Sequence, residues 1–262
     1  MSHATDRAGR AARHPVLLHG FTGSSASWGE RVVDGLAAAG LAPVLVDLPG
    51  HGVAAARTGA PRRVTLDDAF GALAAAGSWP TDLVGYSMGG RVALHFAAAH
   101  PERVRKLVLE SASPGLETHA EREARLASDE ALADFLIQSG IEAFVERWET
   151  QPLFATRAAV GASELARQRE LRLQNDPAGL AAALRGLGTG ALPSLWKRLG
   201  EIRIPTLLLV GALDRKFVEI ARRMAAAMPD ARVVEVEGAG HTVHLERPTD
   251  WLGAVCDFLS RS

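Results

Sequence analysis

The sequence predicts an α/β fold: a mostly parallel sheet flanked by helices, with a helical cap inserted between its two halves. Three observations predict it. Short, nearly continuous apolar runs end at glycine or turn residues, as strands covered on both faces do. Helical patterns separate those runs, and strand–helix alternation implies parallel pairing through right-handed crossovers. The alternation then stops between about Pro114 and Ile204, where apolar residues recur at helical spacing instead.

The strand-like runs are "PVLLHG" (15–20), "APVLVDLPG" (42–50), "TDLVGYS" (81–87), "VRKLVLES" (104–111), "PTLLLVG" (205–211) and "ARVVEVEG" (231–238). Between them, "RVVDGLAAAG" (31–40), "GRVALHFAAAH" (90–100) and "EIARRMAAAM" (219–228) read as helices. In the insertion, Ile141, Phe144, Val145 and Trp148 form one helical face, and "LRGLGTGALPSLW", rich in glycine and proline, is expected to turn the chain back to the sheet. The expected organisation is a single domain, 1–262, with a core of about 14–113 and 205–262, a cap of about 114–204 and a flexible lead-in over 1–13. Ligands in open α/β sheets bind beyond the carboxyl ends of the strands, so a cap there would roof the site and exclude water.

Composition narrows the function. A chain of 262 residues with 47% hydrophobic and 23% charged residues has the balance of a soluble globular protein. Its formal net charge of -1 provides no basic field for nucleic acid or an anionic membrane. No apolar run approaches the ~20 residues that span a bilayer, and residues 1–15 lack the apolar core of a signal peptide. The lone Cys256 has no internal disulfide partner and falls in an apolar helical pattern, so it reads as a packed small hydrophobe in a cytoplasmic protein. The histidines show no metal-ligand spacing: "HTVH" has no third ligand nearby, and neither a metal nor a cofactor is expected.

The chemistry centres on Gly85-Tyr86-Ser87-Met88-Gly89, a G-x-S-x-G sequence set between a strand run and a helix run. In that context the glycines let neighbouring backbone pass close to a strained turn, and the serine hydroxyl stands out at the sheet's edge. A serine hydroxyl is inert without a base, and the base needs an orienting carboxylate. Asp214 follows "TLLLVG" and His241 follows the last strand run, giving the chain order Ser, Asp, His of α/β-hydrolases. His244 competes with His241, but His241 directly follows a Gly-Ala-Gly loop whereas His244 is placed to begin the closing helix. The backbone N–H groups of Phe21, after "LLHG", and Met88, at the helix start, are the candidate oxyanion hole. His19, Asp47 and His51 read as groups that shape loops.

From about Val16 to Leu259 the chain resembles the 2-succinyl-6-hydroxy-2,4-cyclohexadiene-1-carboxylate (SHCHC) synthases of menaquinone biosynthesis, within the α/β-hydrolases. The segments that carry the resemblance are "LLHGFTGSSASW", "DLPGHG", "VGYSMGGRVAL", "LESASPGL", "ERWETQPLFA", "LRLQNDPAGLAAALRGLGTGALPSLW", "VGALDRKF" and "AGHTVHLERP". The first two and the serine turn are widespread among α/β-hydrolases, while the cap segments and "ESASPGL" are more specific. The resemblance implies a carbon–oxygen lyase that needs no cofactor. A proton next to a succinyl ketone is removed by the serine, the histidine draws off the serine's proton, and pyruvate is expelled from an enolpyruvyl ether across the ring. It also implies a small-molecule tricarboxylate substrate, held by Arg91, Arg125 and Arg172 with Tyr86 and Trp148 as pocket residues. Arg122 is the alternative register for Arg125, and core packing is the alternative for Trp148. Two other functions share this site: a serine hydrolase acting on an ester, thioester or carbon–carbon bond of a carboxylated molecule, and a non-catalytic ligand-binding protein. The sequence sets no oligomeric state.

Overall fold

A computed structural model describes residues 13–52 and 63–261. Most of the expected lead-in, residues 1–12, lies outside them. Each of the six apolar runs contains a strand: β1 (Val16–Leu18), β2 (Val44–Val46), β3 (Thr81–Tyr86), β4 (Val104–Glu110), β5 (Thr206–Gly211) and β6 (Ala231–Val236). They form one sheet of order β2-β1-β3-β4-β5-β6, and every pairing is parallel.

Alternation within the strands explains why the runs are apolar throughout. Val16, Leu18, Leu83, Leu107, Leu109, Leu208 and Val210 face one core. Their neighbours Leu17, Val84, Val108, Leu207 and Leu209 face the other. Against the first face pack α2 (Leu66–Ala75), α3 (Met88–Ala99) and α7 (Arg215–Ala227), through residues such as Leu73, Phe96 and Met224. Against the second pack α1 (Gly29–Ala38) and α9 (Pro248–Ser260), through Leu36, Trp251 and Leu259. Full burial of each such side chain contributes roughly 1.5–3 kcal/mol, so the two-sided sheet is the main source of stability. Cys256 sits at the margin of the second core, half-buried rather than enclosed.

The insertion consists of α4 (His119–Glu149), a 3-10 segment (Pro152–Ala159), α5 (Ala162–Leu173) and α6 (Pro177–Leu187). Thr118 and Glu121 start α4 with a reciprocal capping box, and Asp176 accepts the Gly179 N–H at 2.7 Å to cap α6. Helix α4 breaks its course at Gly140, which adopts φ 79°. Beyond the break, Ile141, Phe144 and Val145 pack on Leu180, Ala181 and Leu184 of α6, giving the cap its own small core, with Trp148 at its edge. The glycine-rich segment expected to be a return loop is partly helical, because Leu184–Leu187 complete α6 before the chain turns. The Leu195 N–H then reaches the Pro114 carbonyl at 2.7 Å, so the insertion leaves and rejoins the sheet at one place.

Candidate active site

Ser87 follows β3 as the residue before α3 and holds φ 52°, ψ -107°, a backbone conformation that a side chain normally avoids. Two contacts hold it there. A Cβ on Gly85 would lie 2.5 Å from the Gly89 carbonyl oxygen, and one on Gly89 would lie 2.3 Å from the Leu18 carbonyl oxygen. Only glycine permits a turn this tight, and the turn lifts the serine above the sheet. The Ser87 N–H donates to the Glu110 carbonyl on β4 at 2.9 Å, which anchors the strained residue to its neighbour strand.

The structure brings Ser87, His241 and Asp214 together across 154 positions of sequence. Asp214 Oδ2 lies 2.7 Å from His241 Nδ1, and His241 Nε2 lies 3.2 Å from Ser87 Oγ. The carboxylate selects the tautomer with its proton on Nδ1 and leaves Nε2 to accept the serine proton. Asp214 is itself fixed, because its other oxygen accepts the Phe217 N–H at 3.4 Å as the N-cap of α7. The His241 loop is clamped by Glu246, whose carboxylate accepts the Gly240 N–H at 2.8 Å and the Thr242 N–H at 3.1 Å.

His244 faces away from Ser87. It is buried in the short helix α8 (Val243–Glu246) and donates from its main chain and Nδ1 to the Glu110 carboxylate, which also accepts from Trp251 Nε1 at 2.8 Å. Glu110 therefore steadies the serine turn through its carbonyl and the histidine loop through its side chain.

Met88 is the first residue of α3, so its N–H is one of four with no acceptor inside the helix. Phe21 sits in the turn after β1. His19 shapes that turn by donating from Nδ1 to the Gly20 carbonyl at 2.8 Å and accepting the Leu48 N–H on Nε2 at 3.0 Å. Both bonds need a neutral imidazole, and burial accordingly lowers its pKa. Asp47 accepts the Ser25 N–H at 2.5 Å, and His51 packs edge-on against His19 and Phe21.

Phe21, Tyr86, Ser87, Met88, Arg91, Arg125, Trp148 and His241 all line one cleft of about 210 Å³ between the sheet and the cap. Arg91 lies one helical turn beyond Ser87. It is 8% exposed, its Nη2 donates to the Leu187 carbonyl at 3.3 Å, and its Nε has no partner. Burial, helped by the like charge of Arg125, pulls its pKa down to about 10. Arg125 reaches the cleft from α4 while paired with Asp129 at 2.7 Å. Trp148 is both cleft wall and packing: its ring stacks on Phe144 at 5.8 Å and meets Phe21 edge-on at 5.3 Å. Arg172 does not line this cleft. It lies in an adjoining chamber whose walls share Phe21, Tyr86 and Phe154 with the cleft.

A family model for the alpha/beta hydrolase fold matches residues 16–248. A Bacillus subtilis (strain 168) protein, named "Putative 2-succinyl-6-hydroxy-2,4-cyclohexadiene-1-carboxylate synthase", is 41% identical over 97% of this chain and 93% of its own length. The 2-succinyl-6-hydroxy-2,4-cyclohexadiene-1-carboxylate synthase of Serratia proteamaculans (strain 568) is 32% identical over 93% of this chain and 92% of its own. The chain belongs to the SHCHC synthase family. The solved structure of MenH from S. aureus superposes with a TM-score of 0.88 at 33% identity, covering 99% of this chain and 98% of that one.

Seen as a SHCHC synthase, the site holds residues that sequence reasoning missed. Lys216 and Phe217 line the cleft two and three positions after Asp214, inside the quoted "GALDRKF". Their place at the start of α7 was readable, but nothing in the sequence said which way they face. Glu246 and Glu110 had no local signal, because each acts on backbone from a distant part of the chain. Arg157 was passed over inside the cap, where one arginine among many carries no pattern.

Proposed function

We propose that this chain eliminates pyruvate from 2-succinyl-5-enolpyruvyl-6-hydroxy-3-cyclohexene-1-carboxylate to give SHCHC in menaquinone biosynthesis. The observation that carries the reading is the placement of Arg91. A buried guanidinium with an unpartnered Nε and, among the described residues, no carboxylate within ion-pair distance stands beside a Ser–His pair in one cleft. Holding such a charge out of water costs several kcal/mol unless an anion meets it. A substrate with three carboxylates meets it, and an uncharged ester would not.

The mechanism follows from the donor and acceptor set. The substrate is held so that the C–H next to the succinyl ketone, rather than the ketone carbon, faces Ser87 Oγ. Oγ takes that proton as its own passes to His241 Nε2, and the Asp214 carboxylate stabilises the imidazolium that forms. Negative charge moves onto the ketone oxygen, where the N–H groups of Phe21 and Met88 receive it; one such donor is worth ~2.7–4 kcal/mol. As the ketone re-forms, the electron pair passes through the ring double bond and breaks the C–O bond to the enolpyruvyl group. The enolate so released takes a proton and leaves as pyruvate. No acyl-serine lies on this path.

Purified protein given the enolpyruvyl substrate, with lactate dehydrogenase and NADH present, should consume NADH in step with pyruvate. A panel of simple esters run beside it tests the hydrolase reading. Ester turnover with a mass-detected acyl-serine, and no pyruvate, would replace the elimination with hydrolysis.

A further inference from the structure

The cleft holds Arg91 and Arg125, yet the chamber beyond Tyr86 holds a second cationic pair. Arg157, from the Pro152–Ala159 segment of the cap, and Arg172, from α5, both line it and are 8% and 6% exposed. We propose that Arg157 is a substrate-binding residue of the same reaction, forming with Arg172 a chamber on the far side of Tyr86 that takes one carboxylate arm of the substrate. The proposal rests on the elimination reading above.

The charges around Arg157 support it. Its Nη2 donates to Thr242 Oγ1 at 3.1 Å, its guanidinium carbon sits 3.7 Å from the centre of the Phe154 ring, and its Nε has no partner. Among the described residues no carboxylate lies within ion-pair distance of it. A hydroxyl and an aromatic face do not discharge a buried cation, since buried charges are normally paired. Arg172 is only partly compensated. Its Nη1 meets Glu149 Oε1 at 3.0 Å, but the other oxygen of that carboxylate is taken by Arg169 at 2.6 Å, and Arg172 Nε is unpartnered too. Burial and the like charge of Arg157 pull Arg172 down to about 10. The chamber thus sets two guanidinium groups against one carboxylate that Arg169 shares.

Its form fits a carboxylate arm. The chamber is about 30 Å³, against about 210 Å³ for the cleft, room for a carboxylate group and little more, and Gln168, Thr22 and Thr242 add neutral polar groups to its wall. Tyr86 belongs to both walls, and its hydroxyl lies 3.1 Å from the Thr242 Oγ1 that also accepts from Arg157. Thr242 is the residue after His241, so an arm seated in the chamber lies one residue from the triad histidine. A planar guanidinium pair recognises carboxylate geometry as an ammonium does not. The arm would fix how far the ring sits past Tyr86, and with it which atom faces Ser87.

The test uses Arg157→Gln and Arg157→Lys, each first shown to fold by circular dichroism. Pyruvate release should show KM raised about tenfold or more for Arg157→Gln, with a smaller change in kcat, because the lost contact is with a non-reacting part of the substrate. Arg157→Lys keeps the charge but not the fork, and should fall between. Succinate serves as an independent probe: by calorimetry it should bind the wild type measurably tighter than Arg157→Gln, and succinamide should bind neither. An unchanged KM together with unchanged succinate affinity in a folded Arg157→Gln would overturn the proposal; if that variant does not fold, the same result in Arg157→Lys does so. Absence of pyruvate from the wild type would sink the elimination reading alone, because the succinate measurement does not depend on turnover.

Discussion

Two regions of the site, the Ser87–His241–Asp214 group and the arginine-lined walls, are built on opposite principles. In the first, every polar group is answered by a protein group: Asp214 by His241 and the α7 N-terminus, His241 by Asp214 and Ser87, and the histidine loop by Glu246. In the second, Arg91 in the cleft and Arg157 in the adjoining chamber are buried with nitrogens unanswered. The proposed elimination accounts for the difference. A proton relay must be preorganised before substrate arrives, so it is satisfied internally. An anion-binding wall must keep capacity free, and the free protein bears the cost as stability it does without.

That contrast can be broken at four points. The largest effect is expected from Ser87→Ala, which removes the base and leaves the wall intact. Pyruvate release should fall by ~10²–10⁴-fold, the contribution of a positioned base, with little change in substrate affinity by calorimetry. Release at the wild-type rate would remove Ser87 from the relay. Next comes Arg91→Met. It should lose roughly ten- to a hundredfold in kcat/KM, since hydrogen bonds to charged groups contribute ~1.5–3 kcal/mol. Its Tm should nevertheless hold or rise, because an unanswered buried charge has gone. A large drop in Tm would show that Arg91 is structural.

Glu246→Ala probes the Ser87–His241–Asp214 group in the same way. Two buried N–H groups, on Gly240 and Thr242, lose their acceptor, so stability should fall by about 1–3 kcal/mol in urea melts, and kcat should fall more than KM rises. The smallest effect is a pH dependence of stability. Burial holds His51 at about 3; burial and then the charge of Arg91 hold His95 at about 4, against 6.5 in the unfolded chain. Above pH 6.5 both residues are neutral in both states and cost nothing. Between about 6.5 and 4 only the unfolded chain gains these protons, so stability falls as pH falls, by roughly 1.4 kcal/mol per pH unit per histidine. Urea midpoints between pH 7.5 and 5 should show the slope, and His95→Asn should remove one histidine's share. An equal slope in that variant would mean that His95 titrates normally in the folded protein.

Legibility in the sequence followed the range of the forces involved. The six strands were readable because two-faced burial forces an apolar residue at every position, as in "TLLLVG". The serine turn was readable because backbone crowding at Gly85 and Gly89 admits no substitute for glycine. By contrast, "LRGLGTG" looked like loop and begins as helix, since Leu184 and Leu187 are held by tertiary burial that outweighs the local glycine. Arg172 fell on the far side of Tyr86 for a similar reason: its direction depends on how α5 lies over the sheet.

By itself, then, the sequence determined the fold class, the six apolar strand runs and the candidates Ser87, Asp214 and His241, because these rest on patterns that local sterics and burial impose on residue type. The tertiary structure alone decided which charges go unanswered. Arg91, Arg125, Arg157 and Arg172 are identical letters in the chain, and Coulomb energy distinguishes them only once folding has set each one's distance from a carboxylate and from water. That partition, two arginines paired and two left open, lies in the packing of the cap and the sheet helices around the cleft.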